Sequence, residues 1–273
     1  MARSLVYIGV DLLPDKACFV SLGAKGEVLS VGLKPFESPE TWYQTIAEII
    51  AEVPLGSKLV WGIAPSFASG VSRSFFVPVE AKSVSAYVRW EMGLYLGVDK
   101  KNEYVLSWDK AAPSAEGRMV HAVAVRYAEM QAFAAALERV GGRPALVDSR
   151  LFAAVNDVES VLGAGTPETY ALVVEEGSLL RLAFCDKGSV TMQGQTLFRP
   201  DSAAEKIAAF VGRAPRPAER VFVFADEWFD AGTGDALREA LGVPVEPMPL
   251  AEGISATEAL AWSVASRCRE GAL

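Results

Sequence analysis

Apolar and polar positions along the chain alternate between a period of two and a period near 3.6. Leu5–Leu12, Lys16–Leu22 and Glu27–Leu33 are short runs dense in Val, Ile, Leu and Phe, which predicts three strands, with Gly23-Ala24-Lys25-Gly26 turning between the last two. Ser38-Pro39-Glu40 opens a predicted helix to Val53, with Ser38 as cap and Trp42, Ile46, Ile49 and Ile50 as its apolar face. Lys58–Ala64 and Gly70–Pro78 are predicted strands. Ser83–Leu96 is predicted helical, because Val84, Tyr87, Val88, Glu91 and Tyr95 recur at helical spacing behind Ser83. Strands Glu103–Trp108 and Arg118–Arg126 follow around a polar loop. Helix Ala128–Val140 ends at Gly141-Gly142, ahead of strand Pro144–Val147 and helix Arg150–Leu162.

Gly163-Ala164-Gly165-Thr166-Pro167 is the best linker, and behind it the pattern restarts. Tyr170–Glu175, Leu179–Cys185 and Val190–Leu197 are predicted strands, Pro200–Val211 a helix, and Arg220–Phe224 a buried strand. Helix Asp235–Leu241, strand Val243–Met248 and helix Ala256–Cys268 complete the chain. Tyr7-Ile8-Gly9-Val10-Asp11 and Tyr170-Ala171-Leu172-Val173-Val174 open the two halves, and a Lys-Gly turn follows each, at Lys25-Gly26 and Lys187-Gly188. Either any β-meander looks like this, or the chain is duplicated. A duplication gives an α/β, actin-like fold of two RNase H-like halves facing a nucleotide cleft. The first half is then 1–162, with an inserted subdomain at about 70–112, and the smaller second half, 163–273, lacks an insertion.

Composition narrows the chemistry. The 273 residues are 51% hydrophobic and 22% charged, which suits a large core and excludes wholesale disorder. The net charge of −8 argues against nucleic acid as a partner, because phosphate backbones are repelled. His121 is the single histidine, and Cys18, Cys185 and Cys268 are scattered, so neither a histidine metal site nor a disulfide framework is expected. A Ser-His-Asp hydrolase is not expected either, since no serine has nucleophile-elbow context. The sparse cysteines and the absence of a long uncharged apolar run predict a cytosolic chain with no targeting or spanning segment.

Several segments in order carry a likeness to a known family: Tyr7–Asp11; the helix Ser83–Leu96 with its Arg89-x-Glu91 core and Tyr95; Glu103–Trp108; His121–Arg126; Gly141–Asp148; and Gly242–Pro247. The sequence resembles PilM, the actin-like cytoplasmic component of the type IV pilus machinery, and more distantly the cytoplasmic part of GspL in type II secretion. The resemblance implies a scaffold on the cytoplasmic face of the inner membrane. It would bind the N-terminal tail of a PilN-like bitopic membrane protein in a groove between the first-half core and its insertion. Arg89, Trp90, Glu91 and Tyr95 would contact that partner, with apolar contacts and main-chain hydrogen bonds to an extended peptide. Membrane contact is expected only through partners, and a homo-oligomer is compatible.

The departures bear on catalysis. An actin-like ATPase cradles phosphates in two hairpin turns, which need small residues, free N–H groups and an Asp near Mg²⁺. The first turn keeps Asp11, and Lys16 suits a phosphate, but Leu12-Leu13-Pro14 stands where small residues belong, and proline has no N–H. The second turn offers Gly177-Ser178, but no Asp precedes them, and Glu175-Glu176 sets two carboxylates against a polyphosphate. At ~4 Å and an effective dielectric near ~20, each such pair repels by ~4 kcal/mol. The Gly pair that would pack on a purine is missing from Val221–Trp228, although Gly232 and Gly234 are near. Asp148 is either a remnant catalytic carboxylate or a cap for the helix from Arg150. The expectation is therefore a pseudo-ATPase with no cofactor and no metal, whose remnant cleft positions are Asp11, Lys16, Asp148, Gly177 and Ser178. The alternative is an active ATPase or phosphotransferase that binds ATP-Mg in the cleft.

Overall fold

The computed structural model describes residues 4–13, 15–38, 41–54, 57–64, 70–97, 103–110, 116–225, 229 and 231–271. The chain forms two compact units, Met1–Ser149 with Val264–Leu273, and Arg150–Ser263.

The first unit is built on β1 (Leu5–Leu12), β2 (Lys16–Gly23), β3 (Val28–Pro35), β4 (Lys58–Ala64) and β8 (Gly142–Val147), in the order β3-β2-β1-β4-β8. The first three form an antiparallel meander, whereas β4 and β8 run parallel to β1. From Val6 onward every residue of β1 is buried, so both faces of the sheet are covered. On one face Ile8, Val10, Phe19 and Trp61 pack under Trp42, Ile46 and Ile49 and under Phe133 and Leu137 of α3 (Tyr127–Arg139). Each such side chain contributes about 1.5–3 kcal/mol by leaving water. On the other face lies the end of α7 (Ala259–Glu270): a Cβ on Gly62 would stand 2.5 Å from Cys268 Sγ and 2.6 Å from Val264 Cγ1.

The helix predicted from Ser38 is shorter than expected. A 3₁₀ turn, Trp42–Thr45, precedes α1 (Ile46–Ala51). Thr41 Oγ1 donates to the Ser38 carbonyl at 3.0 Å and accepts from the Ser38 N–H at 3.2 Å, a local arrangement that competes with helical bonding. Pro39 and Glu40 lie outside the described residues.

Between β4 and α3 a second layer is inserted. β5 (Gly70–Pro78), β6 (Tyr104–Lys110) and β7 (Gly117–Arg126) form an antiparallel sheet in the order β5-β7-β6, and α2 (Val84–Leu96) packs on one face. Val88 and Met92 of α2 sit on Phe75, Val77, Val120, Ala122 and Ala124. The Ser83 hydroxyl caps the helix by accepting from the Ala86 N–H at 3.2 Å. The insertion runs past the expected 70–112 to Arg126, because β7 is the central strand of this sheet.

The second unit repeats the plan. β9 (Thr169–Glu176), β10 (Leu179–Asp186), β11 (Ser189–Leu197), β12 (Arg220–Phe224) and β13 (Val245–Pro247) lie in the order β11-β10-β9-β12-β13, the same order as in the first sheet. Lys187 and Gly188, at φ 51° and 73°, form the tight turn from β10 to β11, which needs positive φ at both central residues. Helices α5 (Pro200–Val211) and α6 (Ala231–Leu241) cover one face through Ile207, Phe210 and Leu237. α4 (Arg150–Leu162) packs against β9 and β10. Only a short connection, 225–230, joins β12 to α6, where the first unit carries its insertion.

Asp157 on α4 is fully buried, and neither carboxyl oxygen has a hydrogen-bond partner among the described residues. Desolvation raises its pKa from 3.8 to about 8, so it is protonated at neutral pH. Ionisation therefore opposes folding. The associated stability is complete below the unfolded value and is lost as pH rises toward and through about 8. Asp157→Asn is expected to flatten this decline, so its denaturation midpoint should exceed that of the unaltered protein at pH above 8 and converge with it at acid pH. A second prediction concerns Gly62. Gly62→Val is expected to destabilise the chain by about 1–3 kcal/mol in chemical denaturation, because sheet and helix leave no room for the added carbons.

Candidate functional site

Three places bear on function: the hairpin turn of each unit, and the inserted layer of the first.

In the first unit Asp11 ends β1, Lys16 begins β2 and Asp148 follows β8, so all three gather at the carboxyl end of the parallel strands. The Leu13 N–H donates to the Lys16 carbonyl at 2.9 Å and closes the turn; Pro14 lies outside the described residues. Asp11 is 1% exposed and Asp148 3% exposed. The Asp148 N–H donates to the Ile63 carbonyl at 2.8 Å, which anchors the residue to β4. Its Oδ1 accepts from the Ser149 N–H at 2.9 Å, and its Oδ2 is ion-paired with Arg267 of α7. Both oxygens are thus engaged, and the carboxylate ties the end of β8 to the last helix. Sequence reasoning missed Arg267, which reaches Asp148 across 119 positions of chain.

In the second unit Gly177 adopts φ 59°, the conformation that a tight β9–β10 turn requires, and a Cβ there would meet nothing within 4 Å. The Ser178 carbonyl accepts from the Phe198 N–H at 2.8 Å. The two glutamates before the turn do not stand as a bare pair. Glu176 is buried, and its Oε2 accepts from Arg181 Nε at 2.9 Å; another arm of Arg181 donates to Gln195. Arg150 Nη1 donates to the Glu175 carbonyl at 3.0 Å, and its guanidinium lies 5.7 Å from the Phe224 ring centroid. The expected repulsion from Glu176 is therefore corrected: a buried arginine compensates that charge. The signal was present in Leu179-Leu180-Arg181-Leu182, since a cation inside an apolar strand requires a partner. Gly232 and Gly234 lie within α6 and not in a turn, and Asp226, Glu227 and Trp228 lie outside the described residues.

Among the described residues no cluster of His, Cys, Asp and Glu suits a metal ion. The three cysteines are buried free thiols, and burial pushes Cys185 and Cys268 up to about 12, which keeps them from acting as thiolates. His121 Nδ1 shares a hydrogen bond with Ser74 Oγ across β7 and β5.

The inserted layer has two different faces. Arg89, Trp90, Glu91 and Tyr95 all lie on α2. Trp90 is 56% exposed and meets the Tyr87 ring edge-on at 5.5 Å, and the Arg73 guanidinium stacks 4.8 Å from the centroid of Tyr95. The opposite face of the sheet walls a groove of about 210 Å³. Val105, Ser107, Val123 and Val125 line it from the sheet, Met130 from α3, and Pro144–Val147 from β8. The helix that carries these four residues, α2, packs on the face of the sheet away from this groove.

No protein-family model and no curated protein matches the chain. Solved structures do. A chain of a PilM-PilN type IV pilus biogenesis complex superposes with a TM-score of 0.74 at 16% identity, covering 96% of this chain and 98% of that one. A Bacteroides thetaiotaomicron protein with an actin-like ATPase fold gives 0.60 at 8% identity, covering 88% and 90%. The cytoplasmic domain of EpsL, an inner-membrane component of the Vibrio cholerae type II secretion system, gives 0.55 at 10% identity, covering 96% and 95%. The chain has the actin-like fold, in an arrangement similar to that of PilM.

Replacing Arg267 by Ala is expected to cost about 2 kcal/mol in chemical denaturation, because it leaves the buried Asp148 carboxylate without its cation. The double variant Asp148→Asn with Arg267→Ala should recover part of that loss.

Proposed function

We propose that this protein is a cytoplasmic adaptor of a type IV pilus or type II secretion-like assembly platform at the inner membrane. It receives the cytoplasmic tail of a PilN-like membrane protein in the groove between the inserted sheet and β8. The observation that carries this reading is the groove itself: an apolar, strand-walled channel of about 210 Å³ in a chain whose fold is similar to PilM. Valines at 105, 123 and 125 offer apolar seats, Ser107 offers a hydroxyl, and β8 is the edge strand of its sheet. No helix among the described residues is long and apolar enough to cross a membrane, so attachment through such a partner is consistent with the chain.

The adaptor works without hydrolysing ATP. What supports this is the state of the hairpin ends. Asp148 spends both oxygens on Ser149 and Arg267, Glu176 and Arg181 neutralise each other, and Leu12 and Leu13 occupy a turn that phosphate binding reserves for small residues. A group that must orient a water or hold Mg²⁺ through water needs to face solvent with its charge uncommitted, whereas Asp148 is buried and ion-paired with Arg267.

Calorimetric titration tests both parts. A synthetic peptide of the PilN-like tail from the same organism is expected to bind, whereas ATP with Mg²⁺ is expected to give no heat. Val105→Glu, at an exposed groove position, should weaken the peptide about tenfold or more by burying a carboxylate against valines, with the fold intact. Micromolar ATP binding, near about −8 kcal/mol, would replace the adaptor with a nucleotide-switched machine.

A further inference from the structure

The outer face of α2 is not used by the groove, and its composition is unusual for a free surface. Ala86, Trp90 and Leu94 recur every four residues along one exposed line, and Lys82 is exposed just ahead of the helix. Trp90 is 56% exposed and Leu94 54%, with Tyr95 at 43% beside them. The inward side of the same helix, through Val88 and Met92, is fully buried, so the helix is apolar on both sides. It forms a ridge and not a groove. Arg89 stands next to Trp90, and Arg73 lies on the Tyr95 ring, so guanidinium groups flank the aromatics.

Charge separates this layer from the rest of the chain. Residues 70–126 contain eight Lys and Arg against six Asp and Glu, a net of +2. The whole chain is −8, which leaves −10 for everything else. The inserted layer is thus the part of an acidic protein that an anionic surface attracts. Exposed Trp, Tyr and Leu with Arg and Lys beside them match the headgroup level of a bilayer, where aromatic rings have one apolar and one wet side and cations meet lipid phosphate.

We propose that the α2 ridge, with Trp90 and Leu94 at its crest and Lys82 and Arg89 beside them, docks on an anionic phospholipid surface. This departs from the expectation that the membrane is reached only through partners. It rests on the adaptor reading in one respect: a tail held in the groove brings this layer to the bilayer. Tail and ridge then act as two weak anchors, and the tether raises the effective concentration of the second contact. The two anchors lie on opposite faces of one small sheet, so both can be engaged without competing for residues.

The test is sedimentation of the full chain with vesicles, with no peptide present. Phosphatidylethanolamine vesicles containing phosphatidylglycerol are expected to carry down more protein than phosphatidylcholine vesicles, with the excess lost in about 1 M salt. Arg89→Glu should reduce binding to the anionic vesicles about tenfold. The double variant Trp90→Ser with Leu94→Ser should reduce it by a similar factor, about tenfold. Both variants change exposed side chains, and an unaltered circular dichroism spectrum checks the fold. The proposal is overturned if wild-type protein ignores both vesicle types, or if neither variant changes its binding. It is also overturned if light scattering shows a self-associated species that the double variant dissolves, because the ridge is then a protein contact. Groove titration with the tail peptide is read separately in solution, so failure there leaves the vesicle result standing, and the reverse.

Discussion

Two-sided burial of a five-stranded sheet is the constraint on which this molecule depends. β1 and β9 are buried along nearly their whole length, and a strand of that kind is stable only with layers above and below it. In the first unit α1 and α3 provide one layer. The other is provided by the end of α7, which arrives from the far end of the chain and settles where Gly62 has no side chain. Asp148 and Arg267 lie at the same junction, so an ion pair fastens what the small residue admits. In the second unit α5 and α6 form one layer, and α4 lies against β9 and β10 with Arg150 on Phe224.

That constraint also explains why acidic side chains meet at one end of the first sheet. The carboxyl ends of β1 and β8 bring Asp11 and Asp148 together because strand order dictates it, whatever the residues do there. Once Asp148 is bound to Arg267, its charge contributes to cohesion between β8 and α7. Glu176 and Arg181 neutralise each other in the same way beside the second hairpin turn. Buried pairs of this kind have little net effect on stability while intact and a large cost when broken, so each partner constrains the other.

Much of the fold was legible in the chain because its signals are local. Short runs dense in Val, Ile, Leu and Phe located the strands, Ser83 and Gly141 marked helix ends, and the two Lys-Gly turns pointed to the repeat. The reading failed where local competition or distance decides. Ser38 and Thr41 satisfy each other and shorten a helix whose apolar spacing continues beyond it. Strand β7 belongs to the inserted sheet through pairing with β5 and β6, a fact of register that no periodicity carries. At the candidate site the difficulty was greater. Arg89, Trp90, Glu91 and Tyr95 were readable as residues of one helix, but the groove is assembled from β6, β7, α3 and β8, and no motif joins them. Arg181, a cation inside the apolar run Leu179–Leu182, carried a signal that went unread, whereas Arg267, in Ser266-Arg267-Cys268-Arg269, carried none.

Pro144 gives the groove a particular character. It lies on β8, at the margin of the first sheet, where proline is tolerated because one side of an edge strand has no ladder to supply. A chain laid along β8 therefore meets a broken row of donors and cannot zip into a continuous sixth strand. Side-chain fit against valine and methionine must hold it, and such contacts form and dissolve without unpicking a hydrogen-bonded sheet. The same missing donor guards the margin against fusing with the sheet of another molecule.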